Sequence, residues 1–319
     1  MYPDGTTSIG LTHTGGFKNQ IINGNYIINQ RGLGPFNNSG SYEVTSDRWR
    51  TAANQGPQVQ VTEGNGAFKS NRINANSANI WIGTGIELPT TGDSSLFPPS
   101  STWTFSVYAE PGKSIQLFVN YGTNILGSSL LTVFDGNLDE TTKTSNGKVQ
   151  YTKTITFPST AVPSTAIMLG VGMRCTTAVD YSLVQLEPGP VATPFELRPI
   201  GTEIALCERY YQKSYDLDVA PGTPIDNGLV MAYGTSDNAS NSLAMITLKT
   251  KMRVPPSLAS WSRQGLSGNW QYSKGTTPAA NALTTPYRVG QGSFGLYIGV
   301  GAAWTNTAME GHWTADAEL

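Results

Sequence analysis

Apolar and polar side chains alternate along the chain between about residue 19 and residue 198. In the segment TWTFSVYA, Trp103, Phe105 and Val107 fall on one side, whereas Thr104 and Ser106 fall on the other. The segments IQLFVNY, VQYTKTITF and YSLVQLE repeat this alternation, and turn-forming segments such as EPGK, DGNLDE and SNGK separate them. Alternation with a period of two is typical of half-buried strands. The pattern therefore predicts an antiparallel β-sandwich of the jelly-roll type over residues 19–198.

The same signals return after residue 215. The segments GLVMAYG, SLAMITLKT, NWQYS and SFGLYIGVGAAW alternate with the turn formers PGTPIDNG, TSDNASN and QGLSGN. They predict a second, smaller β-sandwich over residues 215–319. No clear internal repeat relates the two halves, so the predicted fold is all-β with two separate sandwiches.

One segment, residues 183–215, departs from this pattern. A strand ends where the prolines begin at Pro188, because proline lacks the N–H that a sheet ladder needs. Beyond the prolines, Ile204, Cys207 and Tyr211 recur at helical spacing, and Thr202 is the predicted N-cap. So short a helix is marginal in water. We therefore predict one linking helix over residues 199–214, packed so that it plugs the first sandwich or bridges to the second.

Residues 1–18 show no periodicity. Their turn formers DGTTSIG and THTGG contain few apolar anchors. This composition predicts an extended N-terminal arm that becomes ordered when something binds it.

The composition narrows the classes of function. Charged residues make up 13% of the 319-residue chain, well below the ~25% of an ordinary soluble domain. The net charge is −2 and no Lys/Arg cluster exists, which argues against a nucleic-acid partner. No apolar run approaches the ~20 residues that span a bilayer, and the N-terminus lacks the pattern of a secretory signal. We expect folding in a cytoplasm, with release by a route such as lysis.

The residue types that usually carry chemistry are sparse. Cys175 and Cys207 fit no zinc or redox motif, and we interpret them as two partly buried thiols, with a disulfide between them as the alternative. His13 and His312 lie near opposite ends, without further ligands at zinc spacing. A Ser-His-Asp triad around His312 and Asp316 lacks a nucleophile-elbow sequence. We therefore predict no metal, no cofactor and no catalytic histidine.

Paired carboxylates are the remaining route to catalysis, since a glycosidase needs two of them. Nothing in the sequence marks one pair among the candidates, which are Asp47, Glu63, Glu87, Asp93, Asp135, Asp139 and Glu140. The segment DGNLDE resembles the start of a calcium loop but lacks the glycine and the final glutamate, which favours a polar turn. We predict that the protein is not an enzyme.

The chain is rich in aromatic residues, with seven Trp and fourteen Tyr. Trp49 and Trp103 are predicted to lie in the core. Trp261, Trp270, Tyr272 and Tyr287 are the candidate ligand-binding residues, because they lie among Ser, Gly and Asn, a composition suited to binding surfaces. Tyr297 and Trp304 lie in the same region. The alternative is that most of these rings fill a core or a subunit interface.

Residues 185–213, QLEPGPVATPFELRPIGTEIALCERYYQK, resemble a recurring segment of bacteriophage and prophage virion proteins of the tail-fibre type. The similarity extends loosely over residues 20–319, through IINGNYIINQRG, TSDRWR, TLKTKMRVPPSL and the terminal GHWTADAEL. One departure is Asn29, which stands where the family pattern has an aromatic residue. The resemblance identifies no ligand-binding residue.

This resemblance implies a jelly roll like that of carbohydrate-binding modules, a helix and a second β-domain, in a non-enzymatic virion component. A tail or head fibre that contacts the host surface is the leading hypothesis. The arm would then tether the protein to other virion proteins, and a homo-oligomer, with a trimer favoured, would combine weak glycan contacts. Two alternatives stay open: a capsid decoration protein without a host ligand, and a depolymerase of surface polysaccharide.

Overall fold

A computed structural model describes residues 16–32, 34, 36–37, 43–52, 58–62, 70–74, 80–124, 129–234, 241–274, 277–299 and 307–318. Strands account for 49% of the chain and helix for 4%, which confirms the predicted all-β class. Most of the predicted arm, residues 1–15, lies outside the described residues.

Thirteen strands form two antiparallel sheets in the first part of the described chain. They are β1 (Phe36–Asn37), β2 (Glu43–Val44), β3 (Arg50–Ala52), β4 (Gln58–Thr62), β5 (Ser70–Asn74), β6 (Ile80–Glu87), β7 (Thr102–Ala109), β8 (Ile115–Gly122), β9 (Ser129–Asn137), β10 (Asp139–Ser145), β11 (Lys148–Thr156), β12 (Met168–Cys175) and β13 (Val179–Pro188). The seven-stranded sheet runs β1-β4-β5-β13-β7-β11-β10, and the six-stranded sheet runs β2-β3-β6-β12-β8-β9.

The inner faces of these two sheets enclose one hydrophobic core. Trp103, Phe105 and Val107 of β7 pack there with Leu117 of β8 and Trp49, and all five side chains are fully buried. The alternating pattern of TWTFSVYA thus predicted its buried face correctly. The six-stranded sheet turns its other face away from this core.

Eight further strands form one connected sheet that follows the helix. They are β14 (Tyr211–Lys213), β15 (Val230–Gly234), β16 (Asn241–Thr247), β17 (Ser257–Trp261), β18 (Asn269–Lys274), β19 (Thr277–Tyr287), β20 (Ser293–Gly299) and β21 (Thr307–Asp316). The long strand β21 pairs with β14 and β17 along one half and with β15 and β18 along the other. The sheet curls until β15 lies beside β16, around a second core that includes Phe294 and Leu296.

The helix α1 (Ile200–Glu208) is shorter than the predicted 199–214. Pro199 occupies the N-cap position without a side-chain hydrogen bond, so the predicted cap Thr202 lies inside the first turn. Tyr211, predicted on the helical stripe, begins β14 and pairs with Asp316 of β21. Backbone pairing with a distant strand therefore ends the helix early. None of the described helical residues forms a segment long and apolar enough to cross a membrane.

Both cysteines are buried free thiols, which confirms their interpretation from the sequence. Burial raises the pKa of Cys207 well above its usual value, because the thiolate would lose its hydration. Cys207 is thus an inert part of the packing between the helix and its surroundings.

Candidate functional site

The four aromatic residues predicted to bind a ligand do not converge on one surface. Trp270 is wrong as a surface candidate, because its side chain is fully buried in the second core. Its Nε1–H donates to the carbonyl of His312 at 2.9 Å, and its ring lies over Gly311, where a Cβ atom would overlap the indole. Because Gly311 on β21 has no side chain, the indole of Trp270 can occupy this space in the core.

The other three candidates lie apart from one another. Trp261 is half-buried against Tyr215, with ring centroids 6.3 Å apart. Tyr272 is half-buried against the second core. Tyr287 pairs with Tyr297 at 4.6 Å between centroids, and this pair is the one local cluster among the predicted aromatic positions that the structure describes. Trp304 lies outside the described residues.

A different surface gathers aromatic and planar polar side chains: the outer face of the six-stranded sheet. Along β6, Trp81, Gly83, Gly85 and Glu87 occupy this face, because Ile82 and its alternate neighbours point into the core. The antiparallel register with β12 and β8 then sets the remaining members of the face, which are Met168, Gly170, Gly172, Arg174, Gln116, Phe118 and Asn120. We call this set the glycine-floored face.

Trp81 and Phe118 meet across an intervening strand. They belong to β6 and β8, whose backbones lie two strand spacings apart, about 10 Å. Their ring centroids are nevertheless 5.5 Å apart in an edge-to-face arrangement. Gly172 of β12, which lies opposite both Gly83 and Phe118, has no side chain to separate them. The result is a half-buried aromatic pair on a rigid sheet.

Arg174 extends this aromatic pair with planar polar groups. Its guanidinium lies over the Trp81 ring at 4.8 Å from the centroid and donates to the Oε1 atom of Gln116. Stacking and a fixed hydrogen bond hold the guanidinium in one orientation. Indole, phenyl, guanidinium and amide planes therefore lie side by side.

Two polar side chains of this surface lack partners. Asn120 is fully buried, and neither its Oδ1 nor its Nδ2 has a hydrogen-bond partner. Arg50 of β3 lies opposite Gly83, and its buried Nε also has no partner. Burial lowers the pKa of Arg50, because desolvation disfavours its charged form. Unpaired buried polar groups are costly. Arg50 is only half-buried and is therefore suited to hydrogen bonds from a ligand, whereas Asn120 has no exposed surface.

The helix end closes the opposite end of the glycine-floored face. Glu87 accepts hydrogen bonds from Arg209 at 2.8 and 2.9 Å and from the Tyr210 hydroxyl at 2.9 Å. Arg48 lies over the Tyr210 ring at 3.4 Å and donates to the carbonyl of Gly85. These contacts hold the segment after α1 against the sheet. The carboxylate of Glu87 is therefore already engaged in hydrogen bonds within the protein.

A cleft of about 380 Å³ lies on the far side of Glu87, between α1 and the segment that leaves β6. Its walls are mainly apolar, with Phe17, Ile22, Leu88 and Leu206 among them. Glu87 and Arg209, which also line the cleft, already pair with each other. The cleft could enclose an apolar group, but it presents few unpaired polar groups that could recognise a ligand.

The candidate carboxylates are mostly engaged in structural contacts. Asp47 pairs with Arg31 at 3.2 Å and accepts the Gln30 N–H at 2.7 Å, while its burial raises its pKa to about 6. Four other candidates accept hydrogen bonds from neighbouring groups: Glu87, Asp93, Asp139 and Glu140. Asp135 is exposed, and Glu63 lies outside the described residues. Asp135 lies on β9 and Asp139 begins β10, and these two strands belong to different sheets. No cluster of metal-ligand side chains occurs within the described ranges.

His312 does not form the triad considered from the sequence. Its Nε2–H donates to the carbonyl of Ile225 at 2.9 Å, which leaves Nδ1 to accept the Ser214 hydroxyl at 3.0 Å. Asp316 instead pairs with Arg31 at 2.8 Å. The imidazole is fully buried and stacks on Tyr215 at 3.8 Å, and burial lowers its pKa. It is a neutral core residue.

The sequence contains a pattern that predicts the glycine-floored face, although the aromatic composition of the chain does not indicate it. In IWIGTGIE the residues that alternate with the core-facing isoleucines are Trp81, Gly83, Gly85 and Glu87. Two glycines next to a tryptophan on one face predict a flat surface beside one large ring. In IQLFVNY, Phe118 falls on the register otherwise held by polar residues. An aromatic residue on the polar register of a strand is a candidate for surface recognition.

No protein-family model matches this sequence, and neither does any curated protein. Among solved structures, a tailspike domain of bacteriophage CBA120 aligns at 11% identity and a TM-score of 0.32, covering 54% of this chain and 22% of that one. A family 22 carbohydrate-binding module of Clostridium thermocellum Xyn10B aligns at 16% identity and a TM-score of 0.27, covering 52% of this chain and 98% of the module.

A third similar structure is the module TmCBM61 in complex with β-1,4-galactotriose, at 10% identity and a TM-score of 0.29. It covers 54% of this chain and all of the module, at 100%. Structural neighbours of this chain therefore include carbohydrate-binding modules and a phage tailspike domain. Similarities at this level do not establish a shared function.

Proposed function

We propose that this protein is a non-enzymatic carbohydrate-binding component of a phage virion, and that the glycine-floored face is its glycan-binding site. The protein would serve as a tail or head fibre that contacts the host surface.

The aromatic pair of Trp81 and Phe118 carries this proposal. An aromatic ring offers a flat apolar surface with a negative face, which complements the C–H groups on one side of a sugar ring. The neighbouring Arg174 and Gln116 supply planar donors and acceptors for hydroxyl groups. Because all four side chains project from hydrogen-bonded strands, they need little ordering on binding.

The virion role draws its support from the sequence resemblance described above. On this proposal, residues 1–18 tether the protein to other virion proteins and the chain forms a homo-oligomer, with a trimer favoured. Several weak sugar sites then act together, since linked sites raise avidity without new contacts. The protein would be made in the host cytoplasm and released by lysis.

The experiment is a glycan-array screen followed by calorimetry with the purified full chain. Trp81→Ala is expected to weaken binding at least tenfold, because truncating a tryptophan that anchors a binding site typically costs roughly 2 kcal/mol or more. Tyr287→Ala is the matched control, since it removes a half-buried ring from the other aromatic cluster. Loss of binding in Tyr287→Ala and not in Trp81→Ala would move the site to the second sheet.

Two further outcomes separate the alternatives. If the protein binds intact capsids and no glycan, it acts as a decoration protein without a host ligand. If it releases reducing ends from host polysaccharide, it is a depolymerase. Either result would overturn the proposal of passive glycan binding.

A further inference from the structure

The glycine-floored face has an uneven distribution of charge. One row across the sheet runs Arg50, Gly83, Gly172, Phe118 and Asp135, from β3 through β6, β12 and β8 to β9. Residues directly opposite each other in antiparallel strands project from the same face. The row therefore begins with a guanidinium, crosses two positions without side chains, and ends with an aromatic ring and a carboxylate.

Arg50 and Arg174 differ from the arginines that stabilise the fold. Neither has a carboxylate within 4.0 Å among the described residues, and Arg50 makes no described hydrogen bond. Five other arginines pair with a carboxylate: Arg31, Arg48, Arg198, Arg209 and Arg263. Arg253 instead donates to the carbonyls of Ala317 and Glu318. The two guanidinium groups of this surface thus lack a direct carboxylate partner among the described residues and can donate to an external anion.

The acidic residues nearest to Arg50 are already engaged. Asp316 pairs with Arg31 at 2.8 Å, and Glu318 pairs with Arg48. Glu87, on the same face, is held by Arg209. The carboxylate of Asp135 lies four strand spacings away from Arg50, roughly 19 Å. No acidic side chain described in the structure therefore neutralises the Arg50 end of the row by direct contact.

Geometry places both guanidinium groups within reach of one ligand. Arg50 and Arg174 lie on strands two spacings apart and are offset by two residues, which separates their Cα atoms by about 12 Å. Gly83 lies on the strand between them and places no side chain between the two arginines.

We propose that the ligand is an acidic saccharide whose carboxylate binds at Arg50 and Arg174, an inference that rests on the proposed function of this face. The sugar ring packs against the partly exposed Trp81–Phe118 pair. Charge-assisted hydrogen bonds to a carboxylate are the strongest contacts that a guanidinium makes. The distant Asp135 orients the ligand, because its charge repels a carboxylate bound in the reverse direction.

The test uses a glycan array in which every uronic-acid or sialic-acid oligosaccharide has a carboxyl-reduced counterpart, together with neutral oligosaccharides. The wild-type protein is expected to prefer the acidic member of a pair roughly tenfold or more, the loss expected when a charged hydrogen bond is removed. The preference should shrink in 0.5 M NaCl, since salt screens exposed charges.

Variants then locate the preference. Arg50→Gln should reduce binding of the acidic glycan to the level of its reduced counterpart, and Arg50→Lys should retain part of the preference. Arg263→Gln removes an equal charge from an exposed pair with Asp226 outside this face, so it is the matched charge control and should retain the acidic preference. Trp81→Ala should weaken acidic and reduced glycans alike. Thermal unfolding of each variant checks that the fold is intact.

The possible failures are distinct. Equal binding of acidic and reduced glycans, unchanged by Arg50→Gln, would overturn the acidic ligand and leave glycan binding in place. An absence of binding to every acidic, reduced and neutral member would overturn the proposed function together with this inference.

Discussion

Arg31 and Asp316 form a 2.8 Å ion pair although 285 positions separate them in the chain. Arg31 also lies 3.2 Å from Asp47 and 3.6 Å from Glu318, and its guanidinium stacks 3.6 Å from the centroid of the Tyr211 ring. The N-terminal segment, β14 and the end of β21 therefore meet at one guanidinium. This cluster fixes the chain that follows α1 in its place at the edge of the glycine-floored face.

The first prediction concerns the stability of this cluster. Arg31→Gln should lower the free energy of unfolding by roughly 3–5 kcal/mol, because it leaves buried carboxylates without their partner. Arg263→Gln is the matched control: its pair with Asp226 is exposed, so the change should destabilise the fold far less. Urea unfolding at pH 7 measures both. If both variants lowered the free energy of unfolding equally, the Arg31 cluster would contribute no more to stability than an exposed ion pair.

The second prediction concerns pH. Burial raises the pKa of Asp47 to about 6, above the 3.8 of an unperturbed carboxyl. The folded state therefore binds this proton more tightly, so the contribution of Asp47 to stability is complete below pH 4 and is lost as pH rises through 6. The difference in unfolding free energy between wild type and Asp47→Asn should shift by on the order of 2–3 kcal/mol between pH 4 and pH 7.

Chemical unfolding of both proteins at several pH values measures this shift, and the comparison cancels the titration of other groups. A difference that stays constant from pH 4 to pH 7 would mean that Asp47 has an ordinary pKa. A shift of the opposite sign would mean that the Arg31 pair outweighs desolvation.

The third prediction concerns the close approach of Trp270 to Gly311. Gly311→Ala should destabilise the fold by about 1–3 kcal/mol or more, because the added methyl group overlaps the buried indole. Gly292→Ala serves as the control, since a Cβ atom there meets nothing within 4 Å. Thermal unfolding compares the two. Equal melting temperatures would contradict the packing described for Trp270.

The fourth prediction concerns Gly172, which lies beneath the contact between Trp81 and Phe118. Gly172→Val should separate the two rings and abolish glycan binding at the glycine-floored face, because a branched side chain projects between them. Thr156→Val places the same residue at an exposed position of the seven-stranded sheet and should bind as the wild type does. Calorimetric titration with a glycan identified on the array decides the outcome. Unchanged binding in Gly172→Val would place the site elsewhere.

Local pattern was enough to predict several elements of this protein. The alternation in TWTFSVYA predicted the burial of Trp103 and Phe105, because a strand in a sandwich has one inner and one outer face. Local pattern did not predict the residue at which the helix ends. That residue depends on the pairing of Tyr211 with Asp316, which is distant in the sequence. Nor did the pattern distinguish Trp270 from a surface aromatic residue, since Gly311 on another strand provides its space.

The amino-acid sequence by itself determined the all-β class, the inner face of strands such as β7 and β8, and the approximate position of helix α1, because these depend on side-chain periodicity and on neighbouring residues. Tertiary structure alone decided that Trp81 meets Phe118 across Gly172, that Arg50 faces the same surface, and that Arg31 joins both ends of the chain. These relationships depend on strand order and register. Both arise from the packing of segments that are distant in sequence, and no local pattern encodes them.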